Sequence, residues 1–65
     1  MITVTDAVTK NKVYLNPAHI VAVFDIPEGE HQGKTGVNLV NGSIVCEETP
    51  LSIAQSINFD GVNND

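Results

Sequence analysis

Arginine and tryptophan are missing from this 65-residue sequence, cysteine occurs once, and its fixed positive charge rests on three lysines. Without arginine there are no guanidinium forks to grip a phosphate or carboxylate at two points. Lys10, Lys12 and Lys34 stand against eight carboxylates, for a net charge of −5. That balance disfavours non-specific binding to a nucleic-acid backbone but leaves room for a small phosphorylated ligand. The lone Cys46 excludes an intramolecular disulfide, and with only His19 and His31 as further ligands the spacings of a zinc knuckle are absent. No basic start runs into an apolar core and no stretch of about 18 apolar residues occurs, so neither a signal peptide nor a membrane span is expected. A cytoplasmic location is the corresponding expectation, and a free thiol agrees with a reducing compartment.

A single domain is all that such a length allows, and about 60% of the unfolded surface is buried at this size. A core that small supplies roughly 3–5 kcal/mol, commonly supplemented by disulfides, metal or association. Disulfide and metal being excluded, association between copies is the remedy that remains.

The chain reads as strands followed by one helix. Ile2 to Val8 alternates, with Ile2, Val4 and Val8 on one side, the period of a half-buried strand. Thr9 to Lys12 should turn the chain into a short strand at Val13 to Leu15, and Asn16-Pro17-Ala18-His19 into a turn or a single 3₁₀ turn. Ile20 to Ile26 is β-branched and aromatic and is ended by Pro27. Glu28 to Lys34 has the composition of an exposed hairpin loop. Thr35 to Val40 and Ser43 to Glu47 form a further hairpin around Asn41-Gly42, with Val40 facing Ser43 and Val37 facing Cys46. Thr49 caps and Pro50 opens a helix of about two turns that docks through Ile53, Ala54 and Ile57. The expected architecture is mainly β, a small antiparallel sheet or barrel of about five strands with one short C-terminal helix. Residues 1–59 form the domain and 60–65 a flexible tail.

Both sides of this sheet are greasy. Val37, Leu39, Ile44 and Cys46 share one face, and Ile20, Ala22, Phe24 and Ile26 one side of their strand, whereas Val21, Val23, Val40 and Val45 fall on the opposite side. One helix covers one face, and an antiparallel sheet whose second face meets water normally alternates cleanly. The four valines are therefore the expected interface between copies of the chain.

Chemical groups are sparse. Cys46 is expected inside a strand as an inert thiol. Glu47 and Glu48 suit the positive end of the helix dipole, and nothing around them would push their pKa values apart as a catalytic pair needs. Gly29, Gly33 and Gly36 lack the lysine and serine of a phosphate loop. No catalytic residue, metal ligand or cofactor is assigned. A ligand site between subunits would draw on Tyr14, whose hydroxyl suits a pocket wall, on Asn16 and His19 in the turn, on Lys34 in the loop, and on Thr49 at the helix start.

Val13-Tyr14-Leu15-Asn16-Pro17-Ala18-His19-Ile20-Val21-Ala22-Val23, then Val37-Asn38-Leu39-Val40-Asn41-Gly42 and Glu47-Glu48-Thr49-Pro50-Leu51, resembles the short FlbD-type proteins. The long loop around Glu28 to Lys34 departs from their usual tight turn. The resemblance implies a compact β-domain with a terminal helix, in a group named for flagellar regulation and similar to accessory proteins carried by phages. The leading expectation is a non-enzymatic, oligomeric, phage-type accessory protein with an anti-defence role, sequestering a small ligand such as a nucleotide signal between subunits. Two alternatives are an inhibitor or regulator of one host protein, and a flagellar regulator.

Overall fold

The computed structural model describes the backbone of residues 1–63 and the side chains of residues 1–58. Five strands form two antiparallel sheets, followed by a helix: β1 (Ile2–Thr5) pairs with β2 (Lys12–Leu15), and β3 (Ile20–Asp25), β4 (Thr35–Leu39) and β5 (Gly42–Cys46) form a meander with β4 in the middle. The fold is mainly β, as expected, and the sheets do not close into a barrel.

Strand β1 ends sooner than the alternation implied, at Thr5, because Asp6 opens a turn. Its Oδ1 accepts the amides of Val8 (2.8 Å) and Thr9 (3.0 Å), and Lys10 takes a positive φ of 66°. An aspartate that bonds the backbone two and three residues on competes with a strand ladder for the same amides. Val8, expected on the apolar side, is consequently exposed. The 3₁₀ turn Pro17–His19 forms where Asn16-Pro17 placed it, with Asn16 Oδ1 accepting the Ala18 amide at 3.0 Å.

Two registers differ from the expectation. In β3 a shift between Ile20 and Ala22 inverts the alternation, so Ile20 and Val23 pack on the core while Ala22 and Phe24 are exposed. Phe24 and Ala22 are thus not inward residues, Val23 is not an outward one, and Ile26 is half-buried without joining the core cluster. An irregularity of one residue moves every later side chain to the other face. At the β4–β5 hairpin Leu39 pairs with Gly42 and Val37 with Ile44, leaving Val40 and Asn41 as the turn. Val40 does not face Ser43; its amide instead donates to the His19 carbonyl at 3.0 Å. Each strand is displaced by one residue relative to the expected pairing, and that combined displacement preserves parity. Val37, Leu39, Ile44 and Cys46 therefore keep their common face.

The core lies between the sheets and under the helix. Ile2, Val4 and Leu15 meet Val37 and Cys46, and Ile53 of α1 (Pro50–Asn63) closes the cluster, with Val13, Val23 and Ile57 packed around it. Helix α1 reaches both β1 and β3. It starts at the expected residues: Thr49 Oγ1 accepts the Ser52 amide at 3.1 Å, satisfying one of the first-turn donors. The helix is longer than two turns and includes positions 60–63, expected as tail, while Asn64 and Asp65 lie outside the described residues. Ile53 and Ile57 share the docked face one turn apart, but Ala54 is exposed.

Candidate functional site

Two surfaces bring polar or exposed apolar groups together. The first is the seam where the end of β1 meets the end of β5. Asp6 bridges to Cys46, the Ala7 amide donates to the Val45 carbonyl, and the Glu47 amide donates to the Thr5 carbonyl, both at 2.9 Å. Glu48 reaches back to the same place, accepting the Thr5 amide at 2.7 Å and the Thr5 hydroxyl at 3.0 Å. Glu47 holds Lys10 at 2.8 Å and Lys34 at 2.7 Å, and Lys12 Nζ lies 3.4 Å from Thr5 Oγ1. All three lysines of the chain are thus gathered at this seam.

The electrostatics follow from these partners. Hydrogen bonds from Lys10 and then Lys34 bring the Glu47 carboxyl down to about 2. Burial pushes the Glu48 carboxyl up, but its bonds to Thr5 outweigh that and leave it below its ordinary value. The amides of Thr9 and Val8 lower Asp6. Burial, then the Glu48 charge, pushes the Cys46 thiol up, which disfavours the nucleophilic thiolate. This arrangement ties two sheets together. Its carboxylates are ionised, fully engaged and matched in role, so none is poised to give or take a proton near neutrality.

The second surface is the outer face of β3–β4–β5. Register places Phe24 opposite Gly36 and Gly36 opposite Val45, and Ala7 follows through its bond to Val45. An apolar row therefore crosses three strands. The Phe24 ring covers Gly36, where an added Cβ would come within 2.5 Å of the ring, and the ring nevertheless stays 43% exposed. Beside this row Ala22, Asn38 and Ser43 make a flatter, more polar strip, all exposed. At the opposite end of the sheet Val21 and Val40 are 67% and 65% exposed.

The residues expected to line a ligand site are distributed rather than gathered. Lys34 lies at the start of β4 against Glu47, and Thr49 caps α1. Asn16 and His19 are at the 3₁₀ turn beside Val40, six residues along from Lys34 and about 20 Å away at roughly 3.3 Å per residue. Tyr14 projects from β2 and is 68% exposed. Of the four interface valines, Val21 and Val40 are open, Val45 is half-buried in the apolar row, and Val23 packs on the core. Among the described residues, no group of three or more His, Cys, Asp or Glu is placed to hold a metal ion, and no helix is long and apolar enough to cross a membrane.

Comparison with protein-family models, with curated proteins and with solved structures returns no match.

The sequence alone assigns Phe24 no place on the surface and Gly36 no place beneath its ring. The available signal was the glycine itself: a glycine inside a β-rich strand marks a place where another group approaches the backbone closely. The seam partners Thr5 and Glu48 gave no such sign, being 43 positions apart.

Proposed function

We propose that this chain is a non-enzymatic binding module that holds another polypeptide on the outer face of β3–β4–β5. The observation that carries this reading is Phe24, an aromatic side chain fixed over Gly36 yet 43% exposed, at the β3 end of an apolar row. Rigid, partly exposed aromatics are common energetic anchors of protein interfaces. Sequestration of a small anion such as a nucleotide has less support, because Lys10 and Lys34 already neutralise Glu47 and Lys12 lies against Thr5. A host-protein inhibitor, or the flagellar regulator implied by the FlbD-type resemblance, would each work through one protein contact of this kind. A phage accessory origin is compatible with the same role.

Self-association is the second reading, favoured by the exposure of Val21 and Val40 at the end of the sheet away from the acidic loop. Sedimentation of the tagged chain in native extract, and of the purified chain alone, separates the two. The polypeptide-binding reading expects a complex in extract that is lost when Ala22 on the outer face becomes lysine. A sedimentation profile in extract identical for both forms would remove it, and a complex persisting in the purified chain would make the partner a second copy.

A further inference from the structure

We infer that the polypeptide held on the outer face is a basic, apolar segment whose apolar side chains lie on Phe24 and Val45 and whose cations reach Glu28 and Glu30. This inference rests on the reading of the outer face given above and adds the chemistry of what binds there. Asp25 pairs with Thr35 and so lies on the opposite side of β3 from Phe24, but the strand then runs into the loop that carries Glu28 and Glu30, all three carboxylates being exposed. Among the described residues none of these carboxylates has an ion pair or a hydrogen bond from a side chain. Within the loop, His31 is half-buried and acts on Asp6.

The cations that could have answered them are engaged elsewhere. Lys34 leaves the same loop but turns to Glu47, which it shares with Lys10. Lys12 lies against Thr5 and lowers Glu48. With no arginine in the chain, the seam absorbs its whole supply of fixed positive charge. Among the described residues, the unanswered carboxylates of Glu28 and Glu30 therefore stand in the loop at the Phe24 end of the sheet.

A second copy of the chain is a poor match for that surface. It brings a net charge of −5 and no spare lysine, so pairing two such ends adds repulsion without a compensating cation. A segment that alternates basic and apolar residues meets both demands. In extended form its alternate side chains point to opposite sides, and same-side groups repeat at about 6.6 Å, so one side rests on the apolar row while lysines at the margin face the loop. Apolar contact supplies an anchor, and charge complementarity supplies selectivity and speed of association.

The experiment is a titration of the isotopically labelled full chain, followed by nuclear magnetic resonance, with a peptide of about a dozen alternating lysines and valines, long enough to cross the sheet. Its glutamate–valine counterpart serves as the control. Saturable shifts at Phe24, Gly36, Val45 and the Glu28–Glu30 segment are expected. The exposed double variant E28Q/E30Q should fold normally and weaken binding by roughly fivefold, with added salt doing the same to the unaltered chain. Equal affinity of E28Q/E30Q, equal binding of the acidic peptide, or shifts confined to another face would each overturn the inference. Any of these, found alongside loss of the extract complex on Ala22→Lys, would reject the basic chemistry and leave the outer face as the binding surface.

Discussion

The Phe24 ring and Gly36 are cross-strand neighbours in contact, with the ring lying where a side chain on residue 36 would have to be. Strand glycines lose more entropy on folding and pack nothing themselves, so a ring across the strand repairs the exposed backbone. The same contact fixes the orientation of the most exposed aromatic on the sheet.

Gly36→Ala should therefore evict the ring rather than unfold the chain. The clashing atoms are the far end of a side chain with solvent beyond it, so the cost is about 1 kcal/mol, or roughly 4–8 °C in Tm for a domain of this size. In the unaltered chain the Gly36 α-protons should be shifted upfield by the ring, and Phe24→Leu should remove that shift. Normal α-proton positions in the unaltered chain would show that the ring sits elsewhere.

Acid should loosen the seam in a defined direction. Glu47 falls from an ordinary 4.5 to about 2 in the fold, and Asp6 and Glu48 are also lowered. Groups whose folded pKa is depressed contribute fully above their unfolded values, and that contribution disappears as pH falls through the folded ones. The urea midpoint should stay level down to about pH 4.5 and decline from there toward pH 2. In Glu47→Gln the decline should be shallower. A midpoint unchanged from pH 6 to pH 2 would count against the seam as drawn.

Strand β3 gives a test of its own. Val23 packs on the core and Val21 is open, although two residues apart on a regular strand would share a face. Val23→Ser should cost about 1–3 kcal/mol, and Val21→Ser no more than about 0.5 kcal/mol. Denaturant melts of the two variants decide it, and equal costs would mean the register shift is absent.

Ile53 is the helix's buried anchor, and its loss is severe for so thin a core. Ile53→Ala should remove about 2–5 kcal/mol, comparable with what a core of this size provides in total. Far-ultraviolet circular dichroism should then report a substantially unfolded chain at room temperature. A variant that melts within a few degrees of the unaltered chain would mean that α1 contributes little.

Most of the fold was legible in the sequence, and the places where it was not share a cause. Alternation at Ile2 and Val4 and at Val37, Leu39, Ile44 and Cys46, the Asn16-Pro17 turn, and the Thr49-Pro50 helix start all reflect local rules, and local rules can be read along a chain. The inversion at Ile20/Ala22 and the turn at Val40-Asn41 depend on contacts between segments, the latter on an amide of Val40 held by His19. The end of β1 at Asp6 depends on a side chain bonding the backbone of Val8 and Thr9, which the alternation from Ile2 to Val8 does not show. At the candidate site the acidic loop and an uncovered outer face were visible. That Phe24 belongs to that face, and that the lysines are turned away from the loop, required knowing which strands lie side by side.

The most direct test of the central claim is photo-crosslinking in the native host with a photoreactive residue at Ala22, on the outer face, or at Gln55, exposed on α1. A polypeptide adduct of discrete mass from position 22 and not from position 55 is the predicted result. Adducts equally abundant at both positions, or none at position 22, would contradict the assignment of the outer face as the surface that binds.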